Sequence, residues 1–195
     1  MSVLEQTRKY QPDDLLRLPD GNRYELANGE LVEKEMSALA CYVAGLLFDF
    51  LHSFVKQHRL GIVFSDGTSY QCFAHKPELV RRPDCSFIQA SRFTLEDLQE
   101  HGHVLVVPDL VAEVISTHDT VYEIDLRIAD YLKAGVNVVW SLNPVQKTVA
   151  IHRRQGQGSI VGVNDNLLGE GSLQGLVIKV EELFAMPDWL HGAKA

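Results

Sequence analysis

The sequence has few cysteines, and their spacing marks neither a disulfide framework nor a zinc site. Cys41, Cys72 and Cys85 are odd in number, and no two of them are separated by the two residues typical of zinc-binding pairs. We therefore expect free thiols that are at least half-buried, in a protein of a reducing compartment, the cytoplasm.

The sequence also lacks an uninterrupted apolar run of the roughly 18 residues that a bilayer-spanning helix needs. The longest run, from Val43 to Phe54, is interrupted by Asp49 and His52. The first five residues carry neither a basic charge nor an apolar stretch. We expect no signal peptide and no membrane partner.

Basic residues are in the minority, with 18 Lys and Arg against 26 Asp and Glu, which gives a formal net charge of −8. Such a chain should repel a polyanion, which argues against a nucleic-acid coat or scaffold protein. An enzyme acting on nucleic acid is not excluded, because a bound metal ion and local basic residues can reverse the sign of the charge inside a cleft.

The composition is that of an ordinary globular domain, with 46% hydrophobic and 23% charged residues in 195. This length predicts one domain, residues 1–195. The pattern begins with a short helix at Pro12 and a β-hairpin turned by Asn28-Gly29. It continues with the following elements: a helix over 37–57, β-rich pieces at 61–64, 68–73 and 84–88, a strand over 110–116, a capped helix from 120 to before 135, and strands over 138–142, 149–153 and 176–180, the last closing the sheet. We predict an α/β fold, a mixed central β-sheet flanked by helices, with an N-terminal β-hairpin.

Glu113 is the anomaly of the sequence, because it lies inside a near-continuous apolar strand where an unpaired carboxylate is costly. Asp84 opens an earlier strand. Two carboxylates at the ends of neighbouring strands can bind Mg²⁺, which takes one or two carboxylates together with water and phosphate oxygens. The alternative is a buried glutamate in an ion pair with an arginine.

Five segments in this order resemble the Uma-two family of predicted restriction endonucleases, within the PD-(D/E)XK nuclease superfamily. They are Tyr24-Glu-Leu-Ala-Asn-Gly-Glu-Leu, Arg82-Pro-Asp-Cys-Ser-Phe, Pro108-Asp-Leu-Val-Ala-Glu-Val-Ile-Ser, Tyr131-Leu-Lys-Ala-Gly-Val and Val139-Trp-Ser-Leu-Asn-Pro. The resemblance covers about residues 12–184, and leaves 185–195 as a short C-terminal tail. It implies a restriction-endonuclease-like core and metal-dependent hydrolysis of phosphodiester bonds with Mg²⁺ or Mn²⁺.

The resemblance also implies the site residues. Asp84 and Glu113 match the family's acidic metal ligands, whereas Ile115 occupies the position where the superfamily usually has its lysine. Uma-two proteins have that lysine on the following helix, where this chain has Arg127. Arginine can stabilise a phosphate or orient a water, but it cannot transfer a proton near neutral pH.

Two further carboxylates are weaker candidates for the site. Glu25 is marked by the family, although a hairpin surface residue paired with Arg23 or Lys34 is the alternative we favour. Asp109 shares the strand face of Glu113, either as a supporting carboxylate or as a residue of the turn that enters the strand.

The sequence therefore predicts a metal-dependent DNA endonuclease with Asp84, Glu113 and Arg127 as its catalytic residues. Three basic residues are candidates for contacts with the DNA backbone: Lys76, Arg81 and Arg82. A homodimer would suit the two cuts of a duplex. The alternatives are a catalytically inactive relative that binds DNA or protein, and a structural domain in which Glu113 has an ion-pair partner and no open cleft.

Overall fold

The computed structural model describes residues 9–100 and 102–190, and its central feature is a mixed six-stranded sheet. The described helices and strands are α1 (Pro12–Arg17), β1 (Tyr24–Ala27), β2 (Glu30–Glu33), α2 (Ala38–His58), β3 (Gly61–Ser65), β4 (Cys85–Gln89), α3 (Leu95–Gln99), β5 (Leu110–Val114), α4 (Val121–Ala134), β6 (Val138–Asn143), β7 (Thr148–Arg153), β8 (Ser159–Val161), β9 (Asn166–Leu168), β10 (Val177–Lys179) and α5 (Val180–Leu183).

The order of strands in the sheet is β3-β4-β5-β6-β7-β8. The pair β5 and β6 is parallel, and the other neighbouring pairs are antiparallel. Helix α4 lies between the two parallel strands in the chain, as a parallel connection requires. The predicted mixed α/β fold with a central sheet is confirmed.

The N-terminal hairpin forms as predicted, because Asn28 and Gly29 adopt the positive φ angles, 56° and 80°, that a tight two-residue turn needs. Its register places Glu25 opposite Val32. The hairpin is joined to the rest of the molecule by backbone hydrogen bonds in both directions between Leu26 and Val80.

The two long helices pack on opposite faces of the sheet. In β5, Leu110, Ala112 and Val114 point into the core beneath α2, whereas Val111 packs with α4 and its Tyr131. Both helices begin at side-chain caps, of which the one at Thr120 was predicted: the hydroxyl oxygen of Ser37 accepts from Ala40 N–H, and that of Thr120 accepts from Glu123 N–H. The side chain of Glu113 follows Val111 on the α4 face.

Helix α2 is long and apolar enough to cross a bilayer by length and composition. Its apolar stripe is nevertheless packed inside the protein, as in a core helix. The buried residues of this stripe are Ala40, Val43, Ala44, Leu47, Leu51 and Val55.

Two predicted strands differ from the structure. The segment 176–180 does not close the central sheet: β10 pairs with β9 in a separate sheet, because Leu167 and Ile178 pack into the core on the α2 face instead of extending an edge. The segment 68–73 forms no regular strand and has isolated bridges at Tyr70 only.

The cysteines and the C-terminal tail complete the fold. All three cysteines are free, Cys72 and Cys85 are buried, and Cys41 is exposed, contrary to the expectation of burial.

Within the predicted tail, residues 188–190 form a 3-10 turn, whereas 191–195 lie outside the described residues, as do the first eight residues.

Candidate functional site

Asp84 and Glu113 meet at one end of the sheet, on the face that carries α4. The antiparallel register of β4 and β5 sets Cys85 opposite Ala112, so the preceding Asp84 comes opposite Glu113. Both residues are almost fully buried, with 2% and 1% of their surface exposed. The two carboxylates that the sequence singled out are thus neighbours on adjacent strands.

One oxygen of each carboxylate is held by the fold. The backbone N–H of Val114 donates to Asp84 Oδ2 at 2.6 Å, and the Tyr131 hydroxyl donates to Glu113 Oε1 at 2.8 Å. These bonds orient both side chains and leave Asp84 Oδ1 and Glu113 Oε2 free to face a common point.

Lys34 occupies that point. Its Nζ lies 2.7 Å from Asp84 Oδ1 and 3.2 Å from Glu113 Oε2, and it also donates to the carbonyl oxygen of Arg82. Lys34 directly follows β2, so the hairpin carries its side chain into the site. The ion-pair partner of Glu113 is therefore primarily a lysine, and not an arginine as the alternative interpretation held.

The sequence indicated Lys34 only as a possible surface partner of Glu25 and not as a site residue, because Glu33-Lys34-Glu35 has the character of an exposed polar segment. The register of the hairpin was the feature of the sequence that could have indicated the inward position of Lys34. Residues opposite each other in a hairpin point to the same face, and so do residues two apart on a strand. Glu25, Val32 and Lys34 consequently share the face that meets the sheet.

Burial and neighbouring charges set the protonation behaviour of the pair. Burial, together with the nearby carboxylates of Asp84 and Glu25, raises the pKa of Glu113 from its usual 4.5 to about 7, although Lys34 and Arg127 act in the opposite direction. Burial alone would lower the pKa of Lys34, but the surrounding carboxylates more than offset that effect and raise it. Lys34 is therefore a permanent cation, whereas Glu113 titrates near neutral pH.

Arg127 reaches the same cluster from α4. Its Nη1 donates to Asp119 Oδ1 at 3.0 Å and lies 4.0 Å from Glu113 Oε2, and its Nε lies 3.7 Å from Glu25 Oε2. The guanidinium is buried between three carboxylates, so Arg127 contributes positive charge beside Glu113.

Glu25 is not a surface residue of the hairpin, and that favoured interpretation is wrong. Its side chain is fully buried and accepts from Arg81 Nη1 at 2.7 Å and from the backbone N–H of Arg82 at 2.8 Å. Although burial opposes ionisation, the cations Arg81, Lys34 and Arg127 lower the pKa of Glu25. Glu25 is thus an ionised carboxylate that holds the hairpin and the surrounding cations together.

The candidates for DNA contacts are largely committed to the protein itself. Arg81 is buried between Glu25 and Asp130, with 2.7 Å to each carboxylate, and Arg82 donates to backbone carbonyls that include Tyr24 O at 2.9 Å. Neither guanidinium is free for a phosphate, which corrects the expectation for both. Lys76 pairs with Asp130 at 2.6 Å, but its side chain is 43% exposed.

Asp109 lies at the opposite end of β5 from Glu113, about 13 Å away at 3.3 Å per strand residue. Its carboxylate accepts from Arg92 Nη1 at 2.6 Å and from the backbone N–H of Gln89 at 2.9 Å. These contacts match the alternative that Asp109 belongs to the turn entering the strand.

The donor set suits a hard cation bound with few protein ligands. Among residues 9–100 and 102–190, no cluster of three or more His, Cys, Asp and Glu side chains could hold a metal ion. Two carboxylate oxygens and the Arg82 carbonyl do converge on one point, which an ammonium ion occupies. Mg²⁺ is commonly held by one or two carboxylates and completes its octahedral shell with water and phosphate oxygens, so the residues present fit such an ion.

The comparisons with known proteins agree with this fold. The family model Uma2, described as "Putative restriction endonuclease", matches residues 12–181. A crystal structure of a putative nuclease belonging to DUF820 from Anabaena variabilis ATCC 29413 superposes with a TM-score of 0.75 at 22% sequence identity, covering 89% of this chain and 97% of the other. No curated protein matches. The family match spans most of the chain, and this protein belongs to the Uma2 family of nuclease-like proteins.

Proposed function

We propose that this protein is a metal-dependent endonuclease that hydrolyses phosphodiester bonds in DNA, with Mg²⁺ or Mn²⁺ bound between Asp84 and Glu113. One observation carries the proposal: Asp84 Oδ1 and Glu113 Oε2, on adjacent strands, face a single point, and the ammonium of Lys34 occupies that point. The family and the nuclease-like fold support the same reaction class.

The protein's own residues would prepare this site for hydrolysis. The N–H of Val114 and the hydroxyl of Tyr131 fix one oxygen of each carboxylate, so that the other oxygens need little reorganisation to bind a cation. A divalent ion held there supplies a bound water of lowered pKa and neutralises charge on the scissile phosphate. Arg127, 4.0 Å from Glu113, adds fixed positive charge on the α4 side, where it stabilises a phosphate in the transition state.

DNA is proposed as the substrate because the family is described as restriction endonucleases. Lys76 is the one of the three basic candidates whose side chain is substantially exposed, so we propose it as the contact to the DNA backbone. A homodimer would allow both strands of a duplex to be cut, and the mass of the protein in solution by light scattering tests that proposal.

The experiment that tests the proposal is nicking of supercoiled plasmid by purified protein in Mn²⁺ and in Mg²⁺. The wild type is expected to nick only with metal present, and Glu113→Gln is expected to nick no more than a protein-free control. Asp109→Asn is the matched control, because it removes the same kind of charge from the same strand segment at the far end. Metal-independent nicking, or equal nicking by wild type and Glu113→Gln, would refute the assignment.

A second candidate function is a catalytically inactive relative that binds DNA or another protein. The observation that favours it is the complete burial of Glu113 together with its ion pair to Lys34, which a structural role also requires. Arg127→Lys separates the two functions. The lysine should raise nicking in an enzyme in which Arg127 is a weaker substitute, and it should change nothing in an inactive relative.

A further inference from the structure

The two inward oxygens of Asp84 and Glu113 are occupied by protein donors, and their two remaining oxygens are occupied by one ammonium. We propose that Lys34 is a built-in counter-ion that holds the metal position of this site, and that a divalent cation binds by displacing the Lys34 ammonium from between Asp84 and Glu113. This inference rests on the proposed metal site, and it adds that Lys34 holds the two carboxylates in place when no metal is bound.

The two cations need the same oxygen atoms. Mg²⁺ binds its ligands at about 2.0–2.1 Å and takes the lone pairs that point toward it. Asp84 Oδ1 and Glu113 Oε2 direct theirs toward Lys34 Nζ, at 2.7 Å and 3.2 Å. A divalent ion sharing these oxygens would also repel an adjacent ammonium strongly, because so little water is present to screen the two charges.

The charge of the surrounding cluster favours an exchange over simple addition. The buried carboxylates Glu25, Asp84, Glu113 and Asp130 are accompanied by four cations, which are Lys34, Arg81, Arg82 and Arg127. The cluster is therefore already balanced, with four charges of each sign. A divalent cation added to this set would leave two excess positive charges in a buried site, whereas release of the Lys34 ammonium to solvent would reduce that excess to one.

The position of Lys34 in the chain allows its ammonium to leave without disturbing the fold. Its backbone lies between β2 and α2 and is fixed by the Lys34 N–H, which donates to Arg23 O at 2.9 Å. The side chain is 10% exposed, and both neighbours in sequence, Glu33 and Glu35, are exposed. Rotation about the flexible four-carbon stem can therefore carry the ammonium to solvent while the hairpin remains in place.

Binding of Mn²⁺ without any nucleic acid tests the proposal. Lys34→Met keeps most of the stem and removes the charge. The variant is expected to be less stable than the wild type without metal and to bind Mn²⁺ at least about tenfold more tightly by titration calorimetry, because the competing charge is gone. Lys179→Met is the matched control: it removes an exposed lysine that pairs with Glu182 outside the cluster, and it should bind Mn²⁺ like the wild type.

Lys34→Arg provides a second measurement if the methionine variant does not fold. Arginine keeps the charge and can engage both carboxylates through its fork, so it should bind Mn²⁺ more weakly than the wild type. Equal or weaker Mn²⁺ binding by Lys34→Met, or Mn²⁺ binding by Lys34→Arg as tight as that of the wild type, overturns the exchange.

The same titrations separate this proposal from the proposed function. If Lys34→Met matches the wild type while Glu113→Gln loses Mn²⁺ binding, the exchange is wrong and the metal site stands. If none of the proteins binds Mn²⁺, both the exchange and the metal site are wrong.

Discussion

Replacing Glu25 with alanine is expected to destabilise the protein severely, although neither metal nor substrate is needed for the effect. The carboxylate is fully buried, and it accepts from Arg81 Nη1 at 2.7 Å and from the backbone N–H of Arg82 at 2.8 Å. Its removal leaves Arg81 with Asp130 as its remaining carboxylate partner, and it leaves a buried N–H without an acceptor.

The magnitude follows from these two losses. Removing one partner of a buried ion pair costs about 3–5 kcal/mol, and an unsatisfied buried donor costs about 1–3 kcal/mol. The two losses share one side chain and do not add fully, so we expect a decrease of about 3–5 kcal/mol in the free energy of unfolding. For a chain of this size, that corresponds to a fall in Tm of about 6–20 °C.

Urea denaturation followed by circular dichroism measures this difference. Glu33→Ala is the matched control, because Glu33 lies on the partner strand of the same hairpin and forms an exposed ion pair with Arg23. Exposed pairs contribute about 0–1 kcal/mol, so the control should remain close to the wild type. A Glu25→Ala protein within 1 kcal/mol of the Glu33→Ala protein would refute the view that Glu25 anchors the buried cluster.

Three further predictions concern the site and the backbone. Tyr131→Phe removes the hydroxyl that donates to Glu113 and should lower the free energy of unfolding by about 1.5–3 kcal/mol. Tyr122→Phe, at an exposed position, is the control and should have almost no effect. Equal stability of the two variants by urea denaturation would contradict the hydrogen bond. Burial raises the pKa of Glu113 to about 7, so the folded protein keeps a proton that the unfolded chain releases near 4.5, and the associated stability is lost as the pH rises between these values. In metal-free buffer, the free energy of unfolding of the wild type should therefore fall relative to that of Glu113→Gln as the pH rises from 4.5 to 7. A difference between the two proteins that stays constant over this range would contradict the raised pKa of Glu113. An added Cβ at Gly45 in α2 meets open space, so Gly45→Ala should raise the free energy of unfolding by about 0.5–1 kcal/mol. An added Cβ at Gly61 would lie 2.1 Å from a backbone oxygen of β4, so Gly61→Ala should lower Tm. A higher Tm for Gly61→Ala than for Gly45→Ala would contradict the packing at these two positions.

Local chemistry in the sequence was sufficient to predict several elements. Asn28-Gly29 determined the hairpin turn, and Thr120 with Glu123 formed the capping box that begins α4. Gly135 ends α4 in a left-handed conformation, as its place after the last apolar residue of the helix predicted. These signals depend on residues a few positions apart, which is why they could be identified without the structure.

The composition of the cluster could not be predicted in the same way, because it depends on contacts between distant parts of the chain. Lys34 and Glu113 are 79 positions apart, and Arg81 and Glu25 are 56 positions apart. The sequence around Lys34 indicated a solvated surface, and only the docking of the hairpin on Val80 turns its side chain inward. The apolar surroundings of Glu113 marked it as unusual without revealing its partners.

The edge of the sheet shows a related limit. The mostly apolar run over 176–180 predicted a strand, and β10 is one, but no local signal specified its partner. Burial of Ile178 with Leu167 in the α2-side core decided the pairing with β9. The partner of such a strand therefore cannot be predicted from the sequence, because it depends on which residues are buried together in the folded protein.

Metal binding between Asp84 and Glu113 can be observed directly by the anomalous scattering of Mn²⁺ in crystals of the wild-type protein soaked with MnCl₂. We expect one strong peak within coordination distance of Asp84 Oδ1 and Glu113 Oε2, with the Lys34 side chain turned out of the site. Crystals with Lys34 still paired to both carboxylates and no peak between them, at Mn²⁺ concentrations that support nicking, would contradict it.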